Sequence, residues 1–110
     1  MNTIRWTEEA AGDLEEIAVV IAEDAPTAAS DFVDSVDKAV GQLASHPLSG
    51  RVVPELLRHN VRRYREVVLS PWRLFYVADV GCVTILAIID GRRNIEDILL
   101  RRVTRPGPLH

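Results

Sequence analysis

Apolar residues in the first 45 positions recur with the spacing of an α-helix. Thr7 can cap a first helix, and Glu8 and Glu9 follow in its first turn, where the helix dipole favours acids. The apolar positions of this helix are Ala10, Leu14, Ile17, Ala18 and Ile21. Pro26 suits the first turn of a second helix, which should end near Ser45. Its apolar stripe comprises Ala29, Phe32, Val36, Val40 (or Ala39) and Leu43. Because the link is short, the two helices should form an antiparallel hairpin.

The pattern changes to that of β-strands after Asn60. The predicted strands are Thr3–Trp6 at the start of the chain and then Arg63–Leu69, Trp72–Ala78 and Cys82–Ile89. The last of these is apolar except for Thr84, so we expect an interior strand covered on both faces. Asn94 can cap a short final helix over 95–102, and two prolines and Gly50 make residues 47–60 an irregular segment.

This order of elements predicts an α+β fold. We expect an N-terminal strand and an α-helical hairpin packed on a mainly antiparallel sheet of three to four strands, with the helices on one face and a short C-terminal helix. A chain of 110 residues forms one domain, here 1–104. Residues 105–110, which contain two prolines and a glycine, should form a flexible tail.

Charge is distributed unevenly along the chain. Residues 50–110 contain eleven arginines and six acids, a net charge of +5, whereas residues 1–49 contain two basic residues and ten acids, a net charge of −8. Such asymmetry suggests a partner that meets one face only. The planar guanidinium donors suit carboxylate or phosphate, so this partner would be an acidic protein surface, a nucleic acid, or both at different times.

Composition argues against several classes of protein. A single cysteine excludes an internal disulfide, and three scattered histidines do not form a metal site, so we expect neither metal nor cofactor. The longest apolar run is Cys82–Ile89, whereas a membrane span needs about 20 residues. We also expect no signal peptide, because acids are frequent over residues 7–24. These features favour a cytoplasmic protein.

Four local motifs follow one another along the chain: Ile4-Arg5-Trp6-Thr7 with Ala10, Asp13, Leu14 and Ile17; Pro47 to Leu56, of the form P-x-x-G-R-x-V-P-E-L; Trp72-Arg73-Leu74-Phe75-Tyr76; and Ile89 to Leu99. In this order they resemble the ParE/RelE superfamily of bacterial toxins from type II toxin–antitoxin modules, which are linked to plasmid stabilisation; the last is similar to the ParE ending H-G-R-R-D-I-E-x-I-L. Together they cover residues 4 to about 101. The resemblance implies a toxin that is neutralised by a cognate antitoxin, ParD-like or other, in a hetero-oligomer such as a heterotetramer. It also implies contact with DNA only through the antitoxin.

The superfamily contains two activities. RelE-like members cut mRNA in the ribosome, and ParE-like members are described as inhibitors of DNA gyrase. RNA cleavage without metal needs a proton acceptor, a proton donor and stabilisation of phosphorane charge. The ribonuclease members place a histidine or a C-terminal tyrosine where this chain has Asp90 and Leu99. We therefore expect a non-enzymatic, ParE-like gyrase inhibitor with no catalytic residues, and keep the RelE-like endonuclease as the alternative. A bare nucleic-acid-binding module is a third reading, disfavoured by the sequence pI near 5.5.

Four arginines are predicted to contact the target. They are Arg51, Arg73, Arg92 and Arg93. Each also has a purely structural reading: Arg51 could cap the second helix or pair with Glu55, Arg73 could pair with an acid on the hairpin, and Arg92 and Arg93 could be solvated turn residues.

A hydrophobic groove with a basic rim is predicted to bind an amphipathic helix and an extended segment of the antitoxin. We expect Leu56, Leu57, Ile98 and Leu99 to line the groove and Arg62, Arg63 and Arg101 to form its rim. Arg62 and Arg63, together with Arg65, could alternatively protect a sheet edge from pairing with another chain.

Overall fold

A computed structural model describes residues 1–104. In chain order the elements are β1 (Thr3–Trp6), α1 (Glu8–Asp24), α2 (Pro26–Ser45), β2 (Arg51–Val52), α3 (Pro54–Leu57), β3 (Tyr64–Leu69), β4 (Trp72–Asp79), β5 (Cys82–Asp90) and α4 (Ile95–Thr104). The α+β class and the helical hairpin are confirmed. The predicted tail, 105–110, lies outside the described residues.

The strands form one sheet in the order β1-β5-β4-β3-β2. The pairs from β5 to β2 are antiparallel, whereas β1 is parallel to β5, with Thr3 opposite Cys82 and Trp6 opposite Ile85. The sheet therefore has five strands, where three to four were predicted. The additional strand, β2, has only two residues, which is too short to produce an alternating pattern in the sequence.

The helical hairpin covers one face of the sheet. A first hydrophobic core lies between the hairpin and the sheet. The hairpin contributes Ala10, Phe32, Val36 and Leu43, and the sheet contributes Leu74, Tyr76, Val83, Ile85 and Ile88. The predicted caps are present: Thr7 Oγ1 accepts the N–H of Ala10 at 3.1 Å, and Asn94 Oδ1 accepts the N–H of Asp97 at 3.1 Å. The sequence therefore places the hairpin and the start of α4 correctly.

The opposite face of the sheet is covered by the two short helices, α3 and α4. This second core comprises Val53, Leu56, Phe75, Ala87, Ile89, Ile95 and Leu99. The expectation that helices lie on one face only is therefore wrong. The helix α3 was not predicted because it has four residues and lies in a segment rich in turn residues. The interior position of β5 between two cores is confirmed.

A bulge in β5 connects the two helical layers. Phe75 lies opposite Ala87 while Tyr76 lies opposite Ile85, so Leu86 is an extra residue in β5. The Leu86 carbonyl accepts Nη1 of Arg102 from α4 at 3.1 Å. Two residues after the bulge, the backbone N–H of Ile88 donates to Oδ2 of Asp13 from α1 at 3.0 Å. Asp13 also receives two bonds from Arg102, at 2.8 and 2.9 Å, so one ion pair joins α1, β5 and α4.

Candidate functional site

Arg73 lies on β4 on the side of the second core and is enclosed by two carboxylates. Its Nη1 and Nη2 donate to Glu55 at 2.7 and 2.8 Å, and its Nη2 donates to Glu66 Oε2 at 2.7 Å. Its Nε donates to the other Glu66 oxygen. The Arg73 hydrogen bonds hold the pKa of Glu55 below its usual value, and the two carboxylates raise the pKa of Arg73.

The acidic partners of Arg73 are not on the element predicted for them. The acids lie on α3 and β3 and not on the hairpin. The Arg73 side chain is 11% exposed and that of Glu66 is 0% exposed. As a direct target contact Arg73 would need a free guanidinium, and here the guanidinium is occupied inside the protein.

Arg51 is the exposed member of the same charge cluster. Its Nε donates to Glu66 Oε2 at 2.8 Å, while 59% of its side chain remains accessible to solvent. Glu66 therefore lies between two arginines. The alternatives of a helix cap or a pair with Glu55 are wrong for Arg51, because its partner is Glu66. The outer part of its guanidinium remains available to a partner.

The loop that presents Arg51 is held by Tyr76 of β4. The buried Tyr76 hydroxyl donates to the Pro47 carbonyl at 2.8 Å and accepts the N–H of Gly50 at 2.9 Å. A Cβ on Gly50 would lie 2.6 Å from this hydroxyl and 2.6 Å from the Glu66 carbonyl oxygen, so only glycine fits. Burial raises the pKa of Tyr76. Both hydrogen-bonding roles of this hydroxyl are used within the fold.

Asp90 and Arg92 form an ion pair in the turn after β5. Asp90 Oδ1 accepts the backbone N–H of Arg92 at 2.9 Å and its Nε at 3.0 Å, and Oδ2 accepts its Nη2 at 2.6 Å. These bonds lower the pKa of Asp90 to about 2. The carboxyl group is therefore ionised at neutral pH, and it neutralises the arginine beside it.

Arg93 is exposed and borders a surface pocket with α4. Its backbone N–H donates to the Asp90 carbonyl at 3.1 Å, whereas its guanidinium makes no hydrogen bond or ion pair with residues 1–104. The pocket has a volume of about 220 Å³ and is lined by Glu9, Arg93, Ile98, Arg101 and Arg102. It brings together a predicted target contact, Arg93, and two predicted antitoxin contacts, Ile98 and Arg101.

Two of the four residues predicted to line the antitoxin groove are buried in the core. Leu56 and Leu99 are buried in the second core, because α3 and α4 turn these side chains toward the sheet. Leu57 is 38% exposed and Ile98 is partly buried, so these two remain as apolar surface.

The two rim arginines near β3 are both exposed. Arg62 precedes β3 and Arg63 pairs with Asp79 at 3.3 Å, across the end of β4. They do not guard an open strand edge at this position, because β3 lies between β4 and β2 in the sheet.

Sequence reasoning missed the acidic partners of the arginines. Glu55 and Glu66 enclose Arg73, and Asp13 with Glu9 pairs with Arg102. The signal that could have revealed Glu66 is a carboxylate inside a predicted strand, directly before the apolar run 67–69. A charge there needs a partner, since burial of an unpaired carboxylate costs several kcal/mol, about 3–5.

Metal and membrane features are absent from the described part of the chain. Among residues 1–104, no group of three or more His, Cys, Asp or Glu side chains is placed to hold a metal ion. None of the helices described is long and apolar enough to cross a membrane.

Comparison with known proteins identifies the family. Residues 4–95 match the family described as ParE toxin of type II toxin-antitoxin system, parDE. A protein of Sinorhizobium fredii (strain NBRC 101917 / NGR234) named "Putative toxin Y4kP" is 35% identical over 89 residues, which cover 76% of this chain and 84% of that protein. A solved structure titled "Chromosomal ParDE TA system from P. aeruginosa" has the same fold, with a TM-score of 0.65 and 23% identity, over 82% of this chain and 96% of that one. The match across most of its length establishes that this chain belongs to the ParE toxin family of type II toxin–antitoxin systems.

Proposed function

We propose that this toxin acts by binding and inhibiting DNA gyrase and that it does not cleave RNA. The observation that supports the proposal is the state of the groups that cleavage would need. Arg73 is occupied by Glu55 and Glu66, and Asp90 is ionised beside Arg92. Inhibition by binding needs neither a proton donor nor a proton acceptor.

Each possible acid in this region is unsuited to RNA cleavage. A general acid works best when its pKa lies near the pH of the reaction, and Asp90, with a pKa of about 2, holds no proton at neutral pH. The Tyr76 hydroxyl is buried and already bonded to Pro47 and Gly50. A positioned acid or base contributes about 10²–10⁴-fold to rate, so its loss leaves cleavage slow.

The surface proposed to contact the target contains exposed arginines. Arg51 lies on the loop fixed by Tyr76, and Arg92 and Arg93 lie in the turn before α4. Because the carboxylate of Asp90 pairs with Arg92, the charge of Arg93 is less compensated than that of Arg92. Arg93 is therefore the residue on which we expect target binding to depend most.

An antitoxin is the second partner that we propose. The solved relative is a ParDE system, and the family is defined by toxin–antitoxin pairs. An acidic antitoxin segment would complement the arginines of residues 50–104. We propose that the complex is a hetero-oligomer in the cytoplasm that reaches DNA only through the antitoxin.

The test compares the two activities of the superfamily with purified protein. The chain freed from antitoxin is added to gyrase and relaxed plasmid, and in parallel to a translating extract with a labelled mRNA. We expect supercoiling to be inhibited and the mRNA to remain intact. Arg93→Ala should weaken inhibition, and Arg63→Ala, which removes an exposed arginine paired with Asp79, should not.

One result would reverse the proposal. If mRNA is cut only during translation while supercoiling is unaffected at excess toxin, the chain is a RelE-like endonuclease. Thermal unfolding of each variant ensures that a loss of inhibition is not a loss of fold.

A further inference from the structure

We propose that the pocket between the 92–93 turn and α4 binds the carboxylate of an acidic side chain that is flanked by an aliphatic residue in a partner segment. We call it the Arg93 pocket; it is lined by Glu9, Arg93, Ile98, Arg101 and Arg102. The inference rests on the proposed antitoxin partner and specifies the chemistry that it presents to this pocket.

Two of the arginines in the Arg93 pocket have guanidinium N–H donors that are available to a ligand. The guanidinium of Arg93 makes no hydrogen bond or ion pair within the described chain. Within residues 1–104, the one ion pair of Arg101 is with Asp97, one turn earlier on α4, at 3.6 Å, and both side chains are largely exposed. Exposed pairs of this kind are weak, so an incoming carboxylate can compete for Arg101.

The third arginine forms a fixed wall. Arg102 is held by Asp13 at 2.8 Å and by Glu9 at 3.2 Å, and its Nη1 also bonds the Leu86 carbonyl. Its N–H donors are bonded to groups of the protein, so Arg102 has no free donor pair for a ligand and serves to hold α4 in position. These contacts of Arg102 hold α4 in place, and they thereby fix the distance between Arg93 and Arg101.

The lining favours a singly charged ligand with an apolar neighbour. Glu9 is an acid on the wall, and it opposes a phosphate dianion more than a single carboxylate. Ile98 supplies an apolar surface next to the arginines, which suits an aliphatic side chain. Arginine binds carboxylate through paired N–H donors, which makes such contacts about twice as strong as neutral hydrogen bonds.

Occupation of the Arg93 pocket would explain how one partner excludes the other. Arg93 is a proposed target contact, while Ile98 and Arg101 were predicted to contact the antitoxin. A segment that places its carboxylate between Arg93 and Arg101 covers the target contact. Neutralisation then requires no change in the fold of the toxin.

The experiment uses two capped peptides that differ by one charge. The ¹⁵N-labelled toxin is titrated with N-acetyl-Leu-Glu-Leu-amide and with N-acetyl-Leu-Gln-Leu-amide, and the arginine Nε–H signals are followed. We expect the glutamate peptide to shift the Arg93 and Arg101 signals with an affinity about tenfold higher than the glutamine peptide. The double variant Arg93→Ala with Arg101→Ala should lose this difference, and Arg58→Ala, which removes an exposed arginine outside the Arg93 pocket, should retain it.

Three results would overturn the inference: equal affinity for both peptides, an unchanged preference in the double variant, or tighter binding of inorganic phosphate than of the glutamate peptide. The last result would point to a nucleic-acid backbone as the ligand. Because the titration contains neither gyrase nor antitoxin, its failure leaves the gyrase assay unaffected, and the reverse also holds. Both arginines are exposed, so the double variant should keep its dispersed amide spectrum.

Discussion

At the scale of single residues, Arg73 and Glu66 form the most deeply buried of the ion pairs described. A carboxylate that is 0% exposed is tolerated because Arg51 and Arg73 both donate to it. The same contacts remove Arg73 from the surface. Arg73, a member of the Trp72–Tyr76 motif, therefore contributes to stability, and the exposed arginines remain for binding.

Replacement of Arg73 by alanine should destabilise the fold strongly. It leaves Glu66 without its buried partner, and breaking such a pair costs about 3–5 kcal/mol. Urea unfolding should give a much lower midpoint for Arg73→Ala, and Arg63→Ala, an exposed control, should stay within about 0.5 kcal/mol of the unaltered chain. Similar midpoints for the two variants would contradict the enclosed ion pair.

The loop glycine offers a second test at this scale. Gly50→Ala places a methyl group 2.6 Å from the Glu66 carbonyl oxygen, and we expect a loss of about 1–3 kcal/mol from the free energy of unfolding. Gly12→Ala is the matched control, because α1 leaves open space there and alanine favours a helix by up to about 1 kcal/mol. The two changes should therefore have opposite signs in chemical denaturation. Equal effects would argue against the packing of the loop on Tyr76.

Asp90 should titrate at an unusually low pH. Its pKa is lowered from 3.8 to about 2, chiefly by the Arg92 side chain. A lowered pKa means that this pair favours the folded state above pH 4, and the contribution disappears as the pH falls through about 2. Carboxyl ¹³C NMR should report a midpoint near 2 for Asp90, and Arg92→Ala should move it toward 3.8. An unchanged midpoint in the variant would reject Arg92 as the cause.

At the scale of elements, α4 is attached by two apolar residues and one ion pair. Ile95 and Leu99 enter the second core, and Arg102 bonds Asp13 and the bulge carbonyl of Leu86. A chain that ended before Asn94 would lose all three residues, so residues 1–93 would retain only part of the second core. We therefore expect α4 to support the fold as well as to bind partners.

Arg102→Ala should loosen α4 more than any other part of the fold. The change removes a bidentate contact to a partly buried carboxylate, at a cost of about 2 kcal/mol. Hydrogen exchange followed by mass spectrometry should show faster exchange over 95–104, and the hairpin amides should change less. Arg101→Ala, whose pair with Asp97 is exposed, should leave exchange unaltered. Uniform acceleration along the chain would contradict a local role.

The long elements could be predicted from the sequence and the short ones could not. Periodic apolar residues over 17 and 20 positions define α1 and α2, and their bounds agree within one or two residues. In contrast, β2 and α3 have two and four residues, about one repeat of the strand and the helix pattern respectively, which is too short to reveal a periodicity.

The candidate site was predicted only in part. Arg51, Arg92 and Arg93 lie at the surface as expected, but the ion pairs of Arg73 depend on tertiary proximity, which the spacing of residues does not encode. The burial of Leu56 and Leu99 likewise became visible only when the second core was known.

At the scale of the whole molecule, charge is divided between the acidic hairpin and the basic remainder. Ten acids lie in residues 1–49 and eleven arginines in residues 50–110. A body of 40 × 32 × 25 Å is several times longer than the screening length of about 8 Å at physiological salt. The hairpin and the rest of the molecule can therefore present opposite potentials to a partner that approaches.

This division predicts a rate effect in assembly. Association with an acidic antitoxin should slow markedly when NaCl is raised from about 0.05 to about 0.5 M, because exposed charges steer encounter, whereas dissociation should change little. Stopped-flow fluorescence of Trp72 and Trp6 offers a direct signal. An association rate that is independent of salt would indicate that apolar contacts alone guide the encounter.

The parallel pairing of β1 with β5 also has a consequence during translation. Thr3 lies opposite Cys82, 79 positions later in the chain. During synthesis β1 therefore cannot pair until β5 has also been made. At about 5–20 residues per second, that delay is about 4–16 s. Both cores contain residues of β5, and neither can close before the ribosome has released this strand. A nascent toxin is therefore incomplete for most of its synthesis, and an antitoxin already in the cell has that interval in which to meet it.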